Sequence, residues 1–566
     1  MCQNLEHDGK GDIMSEDVRL TIGKGKARSF PKGISLFELA REHAGDAPYP
    51  VLAAEVGGEV KELHERLNSD AAIRFIDITD QNGFRIYQRS ATFLMIFAVQ
   101  EVLGRGTQVV VEYSISKNYV CEIHGLDTPL TPEVVERIEQ RMRQAVDEDM
   151  PISVVRVPVD EAIRLASELN QFDKVNILKY RNTSDAKLYK VGWYHDYFYG
   201  PMAARMGSIN SFKLHRVSGD GFVLQFPKPS EPDKLKPLKQ SSKVSEIFAE
   251  SSKWARILGV DTVGALNDQI CKVGIDNIIR ISEALHEKKV ANIADMVTNL
   301  HRRIVLIAGP SSSGKTTLAN RLRIQLKVNG MRTHIISLDD YYRNRDDIER
   351  EPDGSLNLEK VEAIDVAQIN TDLSKLLRGQ EVEVPHFNFR TGKREYKGRK
   401  ISISGDDVIV MEGIHGLNGK VTADIADDAK FKIFISALTQ LNIDNHNRIP
   451  TTDTRLIRRL VRDFKHRGAT VEKTFEMWPS VMQGENDYIF PFQEEADAFF
   501  NSALVYEMCI LKPYVTPLLL AVDRSQPEFA EARRLLRFLD SFIAQSSEHV
   551  PPNSILREFI GGGWFS

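Results

Sequence analysis

The sequence predicts a doubly wound α/β unit, a parallel sheet with helices on both faces, in its C-terminal half, preceded by two small α+β units. Three observations predict it. Beyond Arg303 the apolar runs RIVLIAG, THIISLDD, DVIVMEG and FKIFIS alternate with helical stretches. Continuous apolar runs are the mark of parallel strands buried on both faces. Before residue 227 short alternating strands and amphipathic helices follow one another, as in small mixed units. Between the halves lies PKPSEPDKLKPLKQSSK, residues 227–243, with four prolines and five lysines, which reads as a solvated linker.

The elements follow in order. Residues 1–15 are polar and read as a frayed tail. Residues 16–83 form the first unit. VRLTIGKGKARSF alternates as strands about a Gly-rich turn, and Ser35 caps a helix with Glu38 three residues on and Leu36, Leu39 and Ala40 on its apolar face. VLAAEVGGEV reads as two strands about Gly57-Gly58, and AIRFIDITD as another. Residues 84–226 form the second unit. RSATFLMIFAVQEVLG is a buried helix, QVVVEYSIS and YVCEIHG a strand pair, and TPEVVERIEQRMRQAVDED a helix with Thr131, Pro132 and Glu133 at its start. VDEAIRLASELNQF is a further helix, and SFKLHRVSGDGFVLQFP a hairpin turning at Gly219, Asp220 and Gly221. Residues 244–300 are a helical connector, through IFAESSKWARILG and IDNIIRISEAL, and residues 301–566 are the α/β unit. Within it EFAEARRLLRFLDSFIA packs on the sheet and GGGWFS trails off flexibly.

Composition excludes several classes. The 566 residues are 42% hydrophobic and 27% charged, a soluble globular balance and not a collagen-like or disordered one. With 74 Lys+Arg against 79 Asp+Glu the net charge is -5, so no chain-wide basic field for nucleic acid exists. The four cysteines, Cys2, Cys121, Cys271 and Cys509, form no C-x-x-C pair, which fits a reducing compartment. The greasiest run, Phe93–Val99, meets Gln100 and Glu101 at once, whereas a membrane helix needs about 20 apolar residues. The first residues have no apolar core of a secretory signal. A cytoplasmic protein without a membrane partner is expected.

The strongest motif is Gly309-Pro310-Ser311-Ser312-Ser313-Gly314-Lys315-Thr316, which fits G-x-x-x-x-G-K-[ST] between the run RIVLIAG and the helical LANRLRIQLKVNG. Glycines let the N–H groups from Ser311 to Thr317 close around phosphate oxygens, Lys315 brings a cation to the β and γ phosphates, and Thr316 offers a hydroxyl to Mg²⁺. Asp339 and Asp340 end the run HIISL, and Glu412 ends DVIVM, at the strand ends where ligands of such sheets lie. A carboxylate there can take a hydroxyl's proton or hold Mg²⁺; for Asp340 a cap on the next helix is the stronger reading. Arg455, Arg458, Arg459 and Arg462 recur at helical spacings, with Arg467 beyond, so one basic face can close over a triphosphate as a lid.

In this order, the phosphate loop, strand-end aspartate, P-x-F-N-F, M-E-G and arginine helix resemble the uridine kinase and phosphoribulokinase family over roughly residues 300–525. The resemblance implies a P-loop kinase fold using ATP and Mg²⁺ to phosphorylate a nucleoside 5′-hydroxyl, uridine- or cytidine-like. It implies Asp339 as base, Tyr342 and Phe387 in the acceptor site, Glu362 in LEKVEAID on ribose hydroxyls, and Glu412 with Thr316 on Mg²⁺. Arg455 and Arg458 would be the catalytic lid, Arg455 also touching the acceptor, with Arg462 on ATP. Where uridine kinases carry Y-D-F and then a histidine, this chain has Phe387, Asn388, Phe389 and then Gly392, so the base readout is altered. Such kinases often self-associate, and a homo-oligomer is a further expectation.

Residues 16–83 resemble a TGS domain, and 84–226 the second additional domain of threonyl-tRNA synthetase, through YQRSATFLMIFAVQ and FYGPMAARMGSINSFKL. The family's four zinc positions hold Arg89, Phe93, Phe198 and Met202 here, so neither zinc nor hydrolytic editing is expected. His195 and His215 read as ordinary histidines, and Trp193–Tyr199 as core packing. RNA contact by this half is implied, and an RNA-associated regulator using ATP as a switch is the second reading. A kinase of another hydroxyl, such as a sugar phosphate, is the third.

Overall fold

A computed structural model describes residues 17–45, 47–238, 243, 247, 250, 254, 255, 257–351, 354, 356–439 and 441–565. The expected tail at 1–15 and residues 248, 249, 251–253 and 256 of the helix expected at 247–259 lie outside them. The chain divides into two compact units: Met1–Phe172, Asn182–Leu238 and Arg524–Ala530 in one, and Asp173–Arg181, Lys239–Asp523 and Glu531–Ser566 in the other.

In the first unit a five-stranded sheet runs in the order Arg28–Pro31, Asp17–Ile22, Ala71–Ile76, Ala53–Val56, Glu59–Glu62. Helix Leu36–His43 starts with a capping box, in which Ser35 and Glu38 each satisfy an N–H of the other's turn, and it buries Leu36, Leu39 and Ala40. Helix Gln81–Leu103 starts from Asp80 and runs across the boundary expected at residue 83. Nearly every side of it is buried, because it shares one core with the strands of a second sheet, ordered Lys213–Arg216, Gly221–Gln225, Asn118–His124, Gln108–Ile115. The described part of the proline-rich segment is held on this unit. Tyr49 Oη donates to Asp233 Oδ2 at 3.0 Å, and Gln225 donates to the Lys236 carbonyl.

The second unit is built on a five-stranded parallel sheet, ordered Thr333–Ser337, Val408–Glu412, Ile304–Ala308, Lys430–Ser436, Ala498–Asn501. The four expected runs are its first four strands. The fifth, AFFN, is too short to stand out as an apolar run. Every residue of Ile304–Ala308 is buried, as a central strand covered on both faces requires. Helices Asp276–Asn299 and Lys315–Val328 pack together. The register sets Ile307 and Ser337 each beside Glu412, so three strand ends converge on one point.

The expected loose end, GGGWFS, follows a packed stretch and is tied back to it by a backbone hydrogen bond. Ile555, Leu556 and Phe559 are fully buried, and the Trp564 N–H donates to the Pro552 carbonyl at 2.9 Å.

Candidate active site

The strand Ile304–Ala308 delivers the chain into the phosphate loop, and the helix from Lys315 carries it away. Residue 309 admits only glycine, since a Cβ there would lie 2.0 Å from the Ile435 carbonyl oxygen. Ser312 (φ +60°) and Gly314 (φ +92°) are both left-handed, and this curls the loop into a concave nest of N–H groups. A serine held at positive φ is backbone strain, of the kind stored at binding sites. Lys315 Nζ donates to the loop's own carbonyls, Gly309 O at 3.0 Å and Pro310 O at 3.2 Å.

A pocket of about 510 Å³ opens over this loop, within the roughly 300–1,000 Å³ usual for small-molecule sites. Ser311 through Thr317 form its floor. Asp339, Glu359, Glu412, Glu485 and Glu558 supply its acids, and Lys315, Arg459, Arg462, His466, Arg467 and Arg557 its basic groups. Glu412 is buried, and Thr316 Oγ1 (3.4 Å) and Ser337 Oγ (3.2 Å) both donate to its Oε1. This oxygen-only set fits a hard divalent cation such as Mg²⁺. Burial, with the Asp339 carboxylate close by, raises the Glu412 carboxyl to about 7 against the pull of Lys315. Loss of hydration likewise raises Asp339, opposed first by Lys315 and reinforced by Asp340.

Several expected residues stand elsewhere. Glu362 is 70% exposed, 3.9 Å from Lys420, and does not line the pocket. Glu359 does, three residues earlier, and burial with the Glu485 carboxylate raises it to about 7. Tyr342 lines the pocket, with its hydroxyl on the Leu358 carbonyl at 3.0 Å, while Phe387 is buried behind it at a ring distance of 5.4 Å and is absent from the lining. Asp340 does not cap a helix. It accepts from His386 Nδ1 at 3.1 Å and from the Phe387 N–H at 3.3 Å, tying down the hairpin His386–Asn388 with Lys393–Glu395. Asn388 is turned into that hairpin, bonded to Glu395.

The arginine lid is also redistributed. On helix Thr451–Arg467, Arg455 and Arg458 are fully buried. Arg455 grips Glu485 with both terminal nitrogens at 2.6 Å, and Arg458 grips Glu507 at 2.6–2.7 Å. Arg458 Nη1 also reaches the Ser312 carbonyl at 3.3 Å, so these arginines brace the loop from behind. Helical spacing tells which residues share a face, but not that this face turns inward. The neighbouring stripe faces the pocket: Arg459 donates to Ser311 Oγ at 2.9 Å, and Arg459 and Arg462 are both held by Asp463. Glu485 and Glu359 were missed in the sequence, Glu485 because nothing in the helix Val471–Tyr488 sets it apart from Glu472 and Glu476. Glu485 also accepts the Ser311 N–H at 2.8 Å.

In the first unit the four positions aligned with zinc ligands are filled by packing. Phe93 and Phe198 meet edge to face at 5.7 Å, Met202 is buried, and the Arg89 guanidinium donates to the Pro201 carbonyl. Tyr194, Tyr197 and Phe198 are buried. His215 Nε2 bonds Gln225 Oε1 at 2.8 Å, and burial lowers His195.

Comparison with known proteins agrees with this division. Residues 304–507 match the family model described as Phosphoribulokinase / Uridine kinase family. The N-terminal region is similar to threonine–tRNA ligases: 28% identical over 201 residues to that of Marinobacter nauticus, 35% of this chain and 31% of the relative. The ligase of Symbiobacterium thermophilum is 28% identical over 207 residues, 36% of this chain and 32% of the relative. The chain thus spans about a third of the length of these curated relatives. Among solved structures, a candidate fructose transport system kinase from Silicibacter sp. TM1040 aligns at 17% identity and a TM-score of 0.28, covering 37% of this chain and 98% of its own. A candidate uridine kinase from Bacillus stearothermophilus aligns at 19% and 0.27, covering 38% and 98%. The second unit has the P-loop kinase fold.

Proposed function

With residues 304–507 a phosphoribulokinase/uridine kinase family segment, we propose that the protein is an ATP- and Mg²⁺-dependent kinase that transfers the γ-phosphoryl group to the 5′-hydroxyl of a nucleoside. The observation that carries this reading is the sharing of one pocket by Lys315, Asp339 and Glu359. The acceptor's hydroxyl proton goes to the Asp339 carboxylate as its oxygen bonds to the γ-phosphorus. The bond to the β-phosphate oxygen breaks, and ADP leaves. Lys315, Arg459 and Arg462 meet the charge on the transferring group, because such transfer is mainly positioning and charge stabilisation. Thr316 and Glu412 are the residues to hold Mg²⁺, which neutralises the phosphate charge when bound.

Glu359 takes the role of receiving hydrogen bonds from the acceptor's ribose hydroxyls. Glu359→Gln is therefore expected to raise the acceptor KM about tenfold or more, while Glu362→Gln leaves it unchanged. Initial rates across acceptor concentration check this, and equal effects of the two variants would return the role to Glu362. The altered Phe387, Asn388 and Gly392 leave uridine or cytidine unassigned between them, and a sugar phosphate is the alternative acceptor. Free Cys121, Cys271 and Cys509 fit a cytoplasmic setting, and among the described residues no helix is long and apolar enough to cross a membrane.

A second reading rests on the similarity to threonine–tRNA ligases, which supports RNA contact by the first unit with ATP acting as a switch. It differs from the first in needing no small-molecule acceptor. Self-association is part of neither.

A further inference from the structure

The phosphate pocket has a wall that the family segment does not supply. The family match ends at residue 507, yet Pro552, Ser554, Arg557, Glu558, Gly563 and Phe565 line the same pocket as Lys315 and Asp339. Their segment touches the loop directly. Thr317 Oγ1 donates to Glu558 Oε2 at 2.7 Å, and Ile555 sits so close above Gly314 that a Cβ there would lie 2.7 Å from it.

The wall is built in, not draped over the surface. Ile555, Leu556 and Phe559 are buried, Arg458 lies over the Phe559 ring at 5.1 Å, and Lys465 of the arginine helix donates to the Ile560 carbonyl. Arg557 donates to the Ser547 carbonyl at 2.9 Å, fixing the segment from its other side.

In a loop of this type the lysine serves the β and γ phosphates, while the backbone around the first helical turn cradles the α and β phosphates. The nucleoside of the donor therefore lies on the Thr317 side, away from Asp339. On that side a carboxylate facing phosphates would repel them, whereas one facing a nucleoside can accept hydrogen bonds from its hydroxyl or amino donors. Pro552 and Phe565 beside it offer apolar surface of the kind that lines base pockets.

We propose that the segment Pro552–Phe565 forms the wall of the donor site against the nucleoside of ATP, with Glu558 as a specificity-determining residue in it. The inference rests on the kinase reading above and deepens it.

The test is calorimetric titration of the full chain with MgATP and, separately, with magnesium tripolyphosphate, which has the phosphates but no nucleoside. Wild type, Glu558→Ala, a form lacking residues 561–566, and Lys315→Ala are compared. The truncated form keeps the buried Ile555, Leu556 and Phe559. Both wall variants are expected to bind MgATP about tenfold or more weakly, with tripolyphosphate held within about twofold. Lys315→Ala is expected to lose both ligands. Unchanged ATP affinity, equal weakening of both ligands, or tighter binding of both, as removal of a plug would give, overturns the wall. Failure of the wild type to bind either ligand would instead overturn the kinase reading itself.

Discussion

Asp339→Asn is expected to lower kcat by about 10²–10⁴-fold while MgATP affinity is kept. Asparagine preserves the shape of the half-buried side chain but cannot take the acceptor's proton. The carboxyl stands raised from its ordinary value, by lost hydration first and by Asp340 after the opposing Lys315, which brings its basicity closer to the working pH. The sign follows: activity falls on acidification as Asp339 is protonated, and the variant should lose this contribution while keeping the limb that Glu412 and Glu359, both raised to about 7, supply. Steady-state kinetics from pH 5 to 8 on both proteins, with ATP affinity measured in parallel, check it. Wild-type turnover in Asp339→Asn would remove the base assignment.

The largest stability effect is expected from Arg458→Met. Arg458 is 0% exposed and Glu507 3% exposed, and the guanidinium holds the carboxylate through Nε at 2.7 Å and Nη2 at 2.6 Å. Removing one partner of a buried ion pair leaves a buried charge uncompensated, at a cost of about 3–5 kcal/mol. Burial already raises Glu507 from 4.5 despite Arg458, and without the arginine it rises further. A carboxyl raised in the folded state stabilises below its unfolded value, and that stabilisation is lost as pH rises through the folded value. The deficit of the variant should therefore be greatest near neutral pH and shrink toward pH 4.5. Replacing both partners, Arg458→Met with Glu507→Leu, should recover most of the loss. Melting temperatures across pH check all three statements. A pH-independent deficit, or none, would show that the pair is not a buried charge pair in solution.

How much was legible in the sequence depended on whether the chemistry is contiguous. The phosphate loop is one unbroken stretch whose backbone does the binding, so Gly309–Thr316 could be named outright. Asp339 and Glu412 followed because parallel strands end at the ligand side and each ends an apolar run. Glu362 was expected at the pocket from the resemblance alone, whereas Glu359 lines it, and the single 3-10 turn at Val361–Ala363 is too short for periodicity to have told the two apart. Arg455 and Arg458 were placed on a face closing over the triphosphate because periodicity groups residues without saying what each face meets. Their partners, Glu485 and Glu507, are remote in sequence. Phe387 was given to the acceptor site, yet it packs behind Tyr342. The wall at Pro552–Phe565 was hidden by composition, since GGGWFS reads as a loose end and Ile555 ahead of it meets Gly314 only through tertiary packing.

The central claim is that this site moves phosphate from ATP to a small hydroxyl acceptor. It is tested most directly with γ-labelled ATP and Mg²⁺, offered a panel of nucleosides and sugar phosphates, with Lys315→Ala as control. Label is expected in a nucleoside monophosphate with wild type and none with the variant. No labelled product from any acceptor, with ATP binding intact, would contradict it and favour the RNA-linked switch.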